Sequence, residues 1–162
     1  MSRRFIQICL LLVVLAIAVG AAHAQLPNPY GASIDIVNAK KVAASAVAEA
    51  KKLNLNMAVA VVDTAGNLVY FEKMDGTQIG SVNVAQDKAR SAALFKRPTK
   101  AFQDGVAGGG VGLRLLGLEG AVPVEGGVPL VSEGKIVGAV GLSGGTSDQD
   151  GQCAQAGASA LK

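Results

Sequence analysis

The sequence predicts an α/β (α+β) domain: a five-stranded, mainly antiparallel sheet with helices packed on it, in the order αββαβββα. Three observations carry this expectation. Ile36, Ala39, Ala43, Ala46, Ala50 and Leu53 recur at alternating spacings of three and four, the signature of a helix with one buried face. Short β-branched runs are joined by tight turns, Asp63-Thr-Ala-Gly-Asn67 and Ser132-Glu-Gly134, which favours hairpins over crossovers. No internal repeat divides the chain, and the 162 − 24 = 138 residues left after the expected signal suit one domain.

Residues 1–24 read as an export signal. Arg3 and Arg4 precede the apolar run Ile6–Val19, and Ala22-His23-Ala24 has the small-x-small pattern of a cleavage site. The run is short for a membrane span of roughly 20 residues, so membrane attachment is expected only through an uncleaved signal. Cleavage after Ala24 removes the only histidine, His23, and Cys9, and lowers the formal charge from +3 to +1 with the loss of Arg3 and Arg4. The expected location is periplasmic or secreted. Nothing in the remaining charge balance indicates nucleic acid. Cys153, left alone, forms no internal disulfide and suits burial.

Residues 25–32 form a flexible lead-in, and 33–162 the domain proper. Ser33 is placed to cap a helix reaching Leu53. Strands follow at Met57–Val62 and Leu68–Lys73. A second helix spans Ser81–Phe95 and stops before Pro98, and Thr99–Val106 suits a short helix. Gly108–Gly110 suits a loop. Three strands are expected at Ala121–Val124, Val128–Val131 and Lys135–Ser143, then a helix over Asp148–Leu161. The strand from Lys135 and the alanine-rich helices carry many small side chains. These permit either close helix–sheet packing or a slot for a flat ligand.

The chemistry available is narrow. Without His23 there is no Ser–His–Asp triad, no Cys–His pair and no conventional zinc site. The glycines of GVAGGGVGLRLLG do not follow a strand in a βαβ unit, so they are no dinucleotide fingerprint. In LSGGTSDQDGQCAQAG, Ser147 and Asp150 have capping-box spacing. Asp150 nevertheless shares a helical stripe with Cys153, Gly157 and Ala160, where a carboxylate needs a cation. In SVNVAQDKARSAALFKRPT, Lys88 lies on the stripe Ser81, Val84, Ser91, Phe95, among small and apolar neighbours. It is either a snorkelling stem or a cation for an acidic ligand. Arg97 stands near the helix end, where it complements the dipole or rims such a site.

Three stretches, VAVVDTAGNLVYFEKMDG, SVNVAQDKARSAALFKRPT and GGVPLVSEGKIVGAVGLSGGTSDQDGQCAQAG, resemble the GlcG/HbpS family of haem-binding proteins, which includes domains like the C-terminal domain of PduO. The resemblance implies a sheet of about five strands with helices, a homo-oligomer and a small-molecule ligand, with haem or a related tetrapyrrole as the cofactor. Lys88 and Arg97 would meet the propionates. Some relatives use a histidine on the iron; here Met57, Met74, Tyr30, Tyr70, Cys153 or Thr99 would have to serve, with Met74 and Thr99 nominated because they flank the resembling stretches. The family often has an acidic residue after the position of Asp150, where this chain has Gly151. The alternative function is an enzyme or accessory protein acting on a small carboxylate such as a glycolate-like hydroxy acid, with Lys88 as anchor and Asp150 as catalytic base.

Overall fold

The computed structural model describes residues 25–161; the expected signal, with His23 and Cys9, lies outside them. Helix α1 (Ile36–Lys52) leads into strands β1 (Ala58–Val62) and β2 (Leu68–Lys73). Helices α2 (Ser81–Phe95) and α3 (Lys100–Ala107) follow, then a 3-10 segment (Gly110–Gly117). Strands β3 (Gly127–Ser132) and β4 (Lys135–Ser143) precede helix α4 (Ser147–Ser159).

Among the described residues the sheet has four strands, not five, in the order β2-β1-β4-β3, and every neighbouring pair is antiparallel. The strand expected at Ala121–Val124 is irregular chain. Pro123 has no amide to give a ladder, and the Val122 amide donates instead to Ser91 Oγ at 3.1 Å. The helical count also exceeds the expected order, because α3 and the 3-10 segment both stand between α2 and the second hairpin.

Local chemistry sets the helix ends. The Asp35 carboxylate, not Ser33, caps α1 by accepting from the Asn38 amide at 2.8 Å. Ser33 Oγ is 2.9 Å from Thr64 Oγ1 instead. Helix α2 stops where Lys96 turns left-handed at φ 53°, just ahead of Pro98. Helix α4 carries a capping box one residue earlier than its spacing suggested. Thr146 Oγ1 accepts from the Gln149 amide, and Gln149 Oε1 accepts from the Thr146 amide. That leaves Asp150 free for another partner.

The domain has three layers. Helices α1 and α4 cover one sheet face, burying Val59, Val61, Leu130, Val140 and Leu142 against Val42, Ala46, Cys153 and Ala154. Helix α2 covers the other face through Ala85, Ala89, Ala92 and Ala93 on Ala58, Ala60 and Ala139. Here the small residues serve close packing. A Cβ on Gly141 would stand 2.1 Å from the Ala85 carbonyl oxygen and 2.4 Å from the Ala89 amide nitrogen. The flat slot considered between helix and sheet is therefore filled by α2. Among the described residues no helix is long and apolar enough to cross a membrane.

Candidate functional site

Close contact of α2 with the sheet brings Lys88 into the interior. Its side chain is 1% exposed, and its ammonium donates to Asp150 Oδ2 at 2.7 Å and to the Leu142 carbonyl at 3.1 Å. Asp150 Oδ1 accepts from the Gly145 amide at 2.9 Å. Burial pushes the Asp150 carboxyl above the usual aspartate range, although Lys88 and the backbone amides pull it down. Gly126 closes the pair from above: a Cβ there would stand 2.8 Å from Lys88 Nζ and from Asp150 Cβ. The two residues singled out on separate helices thus form one buried ion pair joining α2 to α4.

Thr99 sits behind the next glycine. Its Oγ1 accepts from the Gly127 amide at 2.9 Å, its own amide donates to the Gly127 carbonyl at 3.0 Å, and it is fully buried. A Cβ on Gly127 would collide with the Lys88 carbonyl oxygen at 2.2 Å and Thr99 Cγ2 at 2.7 Å. Gly126-Gly127 is consequently a thin partition, with the ion pair and Thr99 on its inner side.

A cleft of about 410 Å³ opens at this partition, bordered by Pro98, Lys100, Glu125, Gly127, Asp148 and Gly151 among others. Arg97 precedes its wall; the Arg97 Nε donates to the Phe95 carbonyl at 3.3 Å, and the guanidinium lies over the Phe102 ring at 5.4 Å. Met74 is not part of this grouping. It borders a separate cleft with Asn56 and Lys73, and its Sδ accepts from the Met57 amide at 3.4 Å. Lys88, Thr99 and Asp150 are therefore brought together around Gly126-Gly127, whereas Arg97 turns to Phe95 and Phe102 and Met74 borders another cleft.

Glu125 is the residue that sequence reasoning missed. Its amide donates to Gln103 Oε1 at 2.8 Å, which turns the side chain toward α4. The carboxylate occupies the space beside Gly151, where an added Cβ would fall 2.2 Å from Glu125 Oε1. Glu125 Oε2 is buried and has no hydrogen-bond partner. The nearest cation, Lys100 Nζ, is 3.7 Å away and is bonded to Asp104 at 2.9 Å. Burial raises the Glu125 carboxyl above the ordinary glutamate range; Lys100 opposes the shift, and Asp148 and Asp104 add to it. The one available signal was Gly151, whose missing side chain makes room for this carboxylate.

A three-layer α/β domain with a cleft bordered by Lys100, Glu125 and Asp148 is the class of fold this chain adopts. The family described as "Haem degrading protein HbpS-like" matches residues 34–159, and the chain belongs to it. It is 39% identical over 105 residues to protein GlcG of Escherichia coli, covering 65% of this chain and 77% of GlcG. A double mutant of HbpS from Streptomyces reticuli superposes with a TM-score of 0.74 at 31% identity, over 82% of this chain and 89% of that one. The PduOC–haem complex superposes with a TM-score of 0.72 at 27% identity, over 80% and 96% respectively.

Proposed function

We propose that this protein binds haem and works as an exported homo-oligomer. The observation that carries the reading is the match to a relative solved as a haem complex, over 80% of this chain with a TM-score of 0.72. The cleft supports it in two ways. Its volume of about 410 Å³ falls within the roughly 300–1,000 Å³ typical of small-molecule sites. Lys100 on its wall, with the neighbouring Arg97, would supply cations for propionates. Haem bound there would bring redox and oxygen chemistry; the chain would supply anchoring and orientation.

Lys88 and Thr99 enter this reading as supports. The Lys88 ammonium is committed to Asp150, so propionate binding passes to Lys100 and Arg97. Thr99 positions Gly127 and thereby the partition. Exposed Val111, Leu113 and Leu116 on the 3-10 segment support self-association, because apolar side chains clustered on a surface favour a second copy. The small-carboxylate alternative has less support, since its anchor and its base are bonded to each other in the interior.

Hemin titration of the processed protein should give a saturable Soret band, weakened in Arg97→Ala and Lys100→Ala. Failure to saturate at micromolar protein rejects the reading. Native mass spectrometry of the exported chain should show a mature start at Gln25 and more than one subunit; a chain retained with residues 1–24 or a monomer rejects those parts.

A further inference from the structure

Resting on the homo-oligomer reading, we infer that the 3-10 segment Gly110–Gly117 is an isologous interface, packing on the same segment of a second copy about a two-fold axis between Leu116 and Gly117. Val111, Leu113, Leu116 and Leu118 stand 73%, 50%, 63% and 42% exposed. Apolar side chains gathered on one surface mark a contact site, whereas scattered ones do not. The segment does not relieve this exposure by folding inward. Leu115 turns toward α3, its Cδ1 2.6 Å from the place of a Cβ on Gly105. Gly112 lies so close to the Gly105 carbonyl that no Cβ fits between them. With that seat fixed, the other apolar side chains are held in the open.

Charge and shape select a second copy as the occupant. Arg114 and Glu119 are both exposed, and among the described residues neither takes part in an ion pair. In an isologous contact residue i meets residue j and j meets i. A two-fold axis between Leu116 and Gly117 therefore sets Arg114 of each copy against the partner's Glu119, with the leucines between the two pairs. The same axis lays Leu116 on the partner's Gly117. Nothing lies within 4 Å of where a Gly117 Cβ would be, so a leucine side chain has room there. A membrane surface is the poorer occupant. It favours an apolar face bordered by Lys and Arg, and on this stretch Glu119 cancels Arg114.

The test is analytical ultracentrifugation of the full processed chain over a range of concentrations, with circular dichroism to verify the fold of each variant. Leu116→Glu brings like charges together at the axis. It should weaken association at least about thirtyfold, the loss expected of an interface anchor. Arg114→Glu and Glu119→Arg each set like charges face to face, which is unfavourable, and each should weaken association several-fold. The double reversal, Arg114→Glu with Glu119→Arg, should restore it, because both pairs reform with their signs exchanged. A wild-type dissociation constant in Leu116→Glu, or a double reversal no tighter than the single ones, overturns this interface and leaves self-association standing. A wild-type chain that sediments as a monomer overturns both.

Discussion

Lys88 and Asp150 each become costly without the other. Both are buried, with side chains 1% and 4% exposed, and an ion pair so placed gains little net stability over an apolar substitute. Removing one partner is different, because it leaves a charge in the interior. Lys88→Met should lose about 3–5 kcal/mol of unfolding free energy. The double variant Lys88→Met, Asp150→Leu should regain most of it, less the cost of leaving the Gly145 amide unpaired. Urea denaturation of the two single variants and the double closes the cycle; additive losses would mean the pair is not coupled. Cys153 supplies a pH signature. Its thiol is raised from 9.0 to about 11 by burial, so the unfolded chain releases this proton first. Stability must fall as pH rises through that window, by up to about 1.4 kcal/mol per pH unit from this group. Denaturation midpoints of wild type and Cys153→Ala, compared across the window, isolate the effect as a steeper decline in wild type.

Helix α2 was legible in its bounds: a helix over Ser81–Phe95, ended by the approach to Pro98, is what the sequence predicts, and those are its bounds. Lys88 was legible for the same reason, since its place on a stripe of small residues marks it as inward-facing. Adjacent candidates with similar chemistry defeat this reasoning. Thr146 and Ser147 are both good caps, and tertiary packing decides between them, because Asp150 is drawn to Lys88 and Gln149 completes the box. Thr146→Ala should therefore cost about 1 kcal/mol and Ser147→Ala far less, by thermal or chemical melting; equal losses would refute the assignment. Glu125 was illegible because its neighbours, Gln103 and Lys100 of α3 and Gly151 of α4, come from distant parts of the chain, and nothing in Val124-Glu125-Gly126 announces that. The strand wrongly expected beside it has the right composition but lacks a ladder partner. Where α2 meets β4 the tolerance is smallest. Gly141→Ala places a Cβ against backbone atoms of α2, which have no rotamer to escape into. The loss should equal or exceed the roughly 1–3 kcal/mol typical of overpacking, measured by urea denaturation; a wild-type midpoint would mean that α2 is not seated as described.

Sheet pairing leaves one edge of β4 to be covered by the beginning of the domain. Strand β1 pairs with Ala139–Ser143, so the first half of the nine-residue β4 has no β1 partner. The segment from Pro29 to Ile34 lies there: the Ile136 amide donates to the Pro29 carbonyl, and the Gly31 and Ile34 amides donate to Ile136 and Val137 carbonyls. Upstream, the Leu26 amide donates to the Lys96 carbonyl at 2.7 Å, and the Tyr30 hydroxyl reaches the Ala93 carbonyl at 2.8 Å. The lead-in thus ties the sheet to the end of α2, next to Arg97 and the cleft. The proposed cleavage after Ala24 would leave one residue ahead of the Leu26 anchor, so processing and folding are compatible. A chain beginning at Ser33 keeps the Ile34 bond but loses those of Leu26, Pro29, Tyr30 and Gly31 at about 1 kcal/mol each and bares part of a strand edge, the kind of surface that recruits other chains. For a domain of this size each kcal/mol corresponds to about 2–4 °C, so the melting temperature should fall by roughly 5–15 °C. Size-exclusion chromatography should show association that grows with concentration beyond that of the full mature chain. Melting and elution identical to the mature chain would mean that the lead-in neither braces the sheet nor guards its edge.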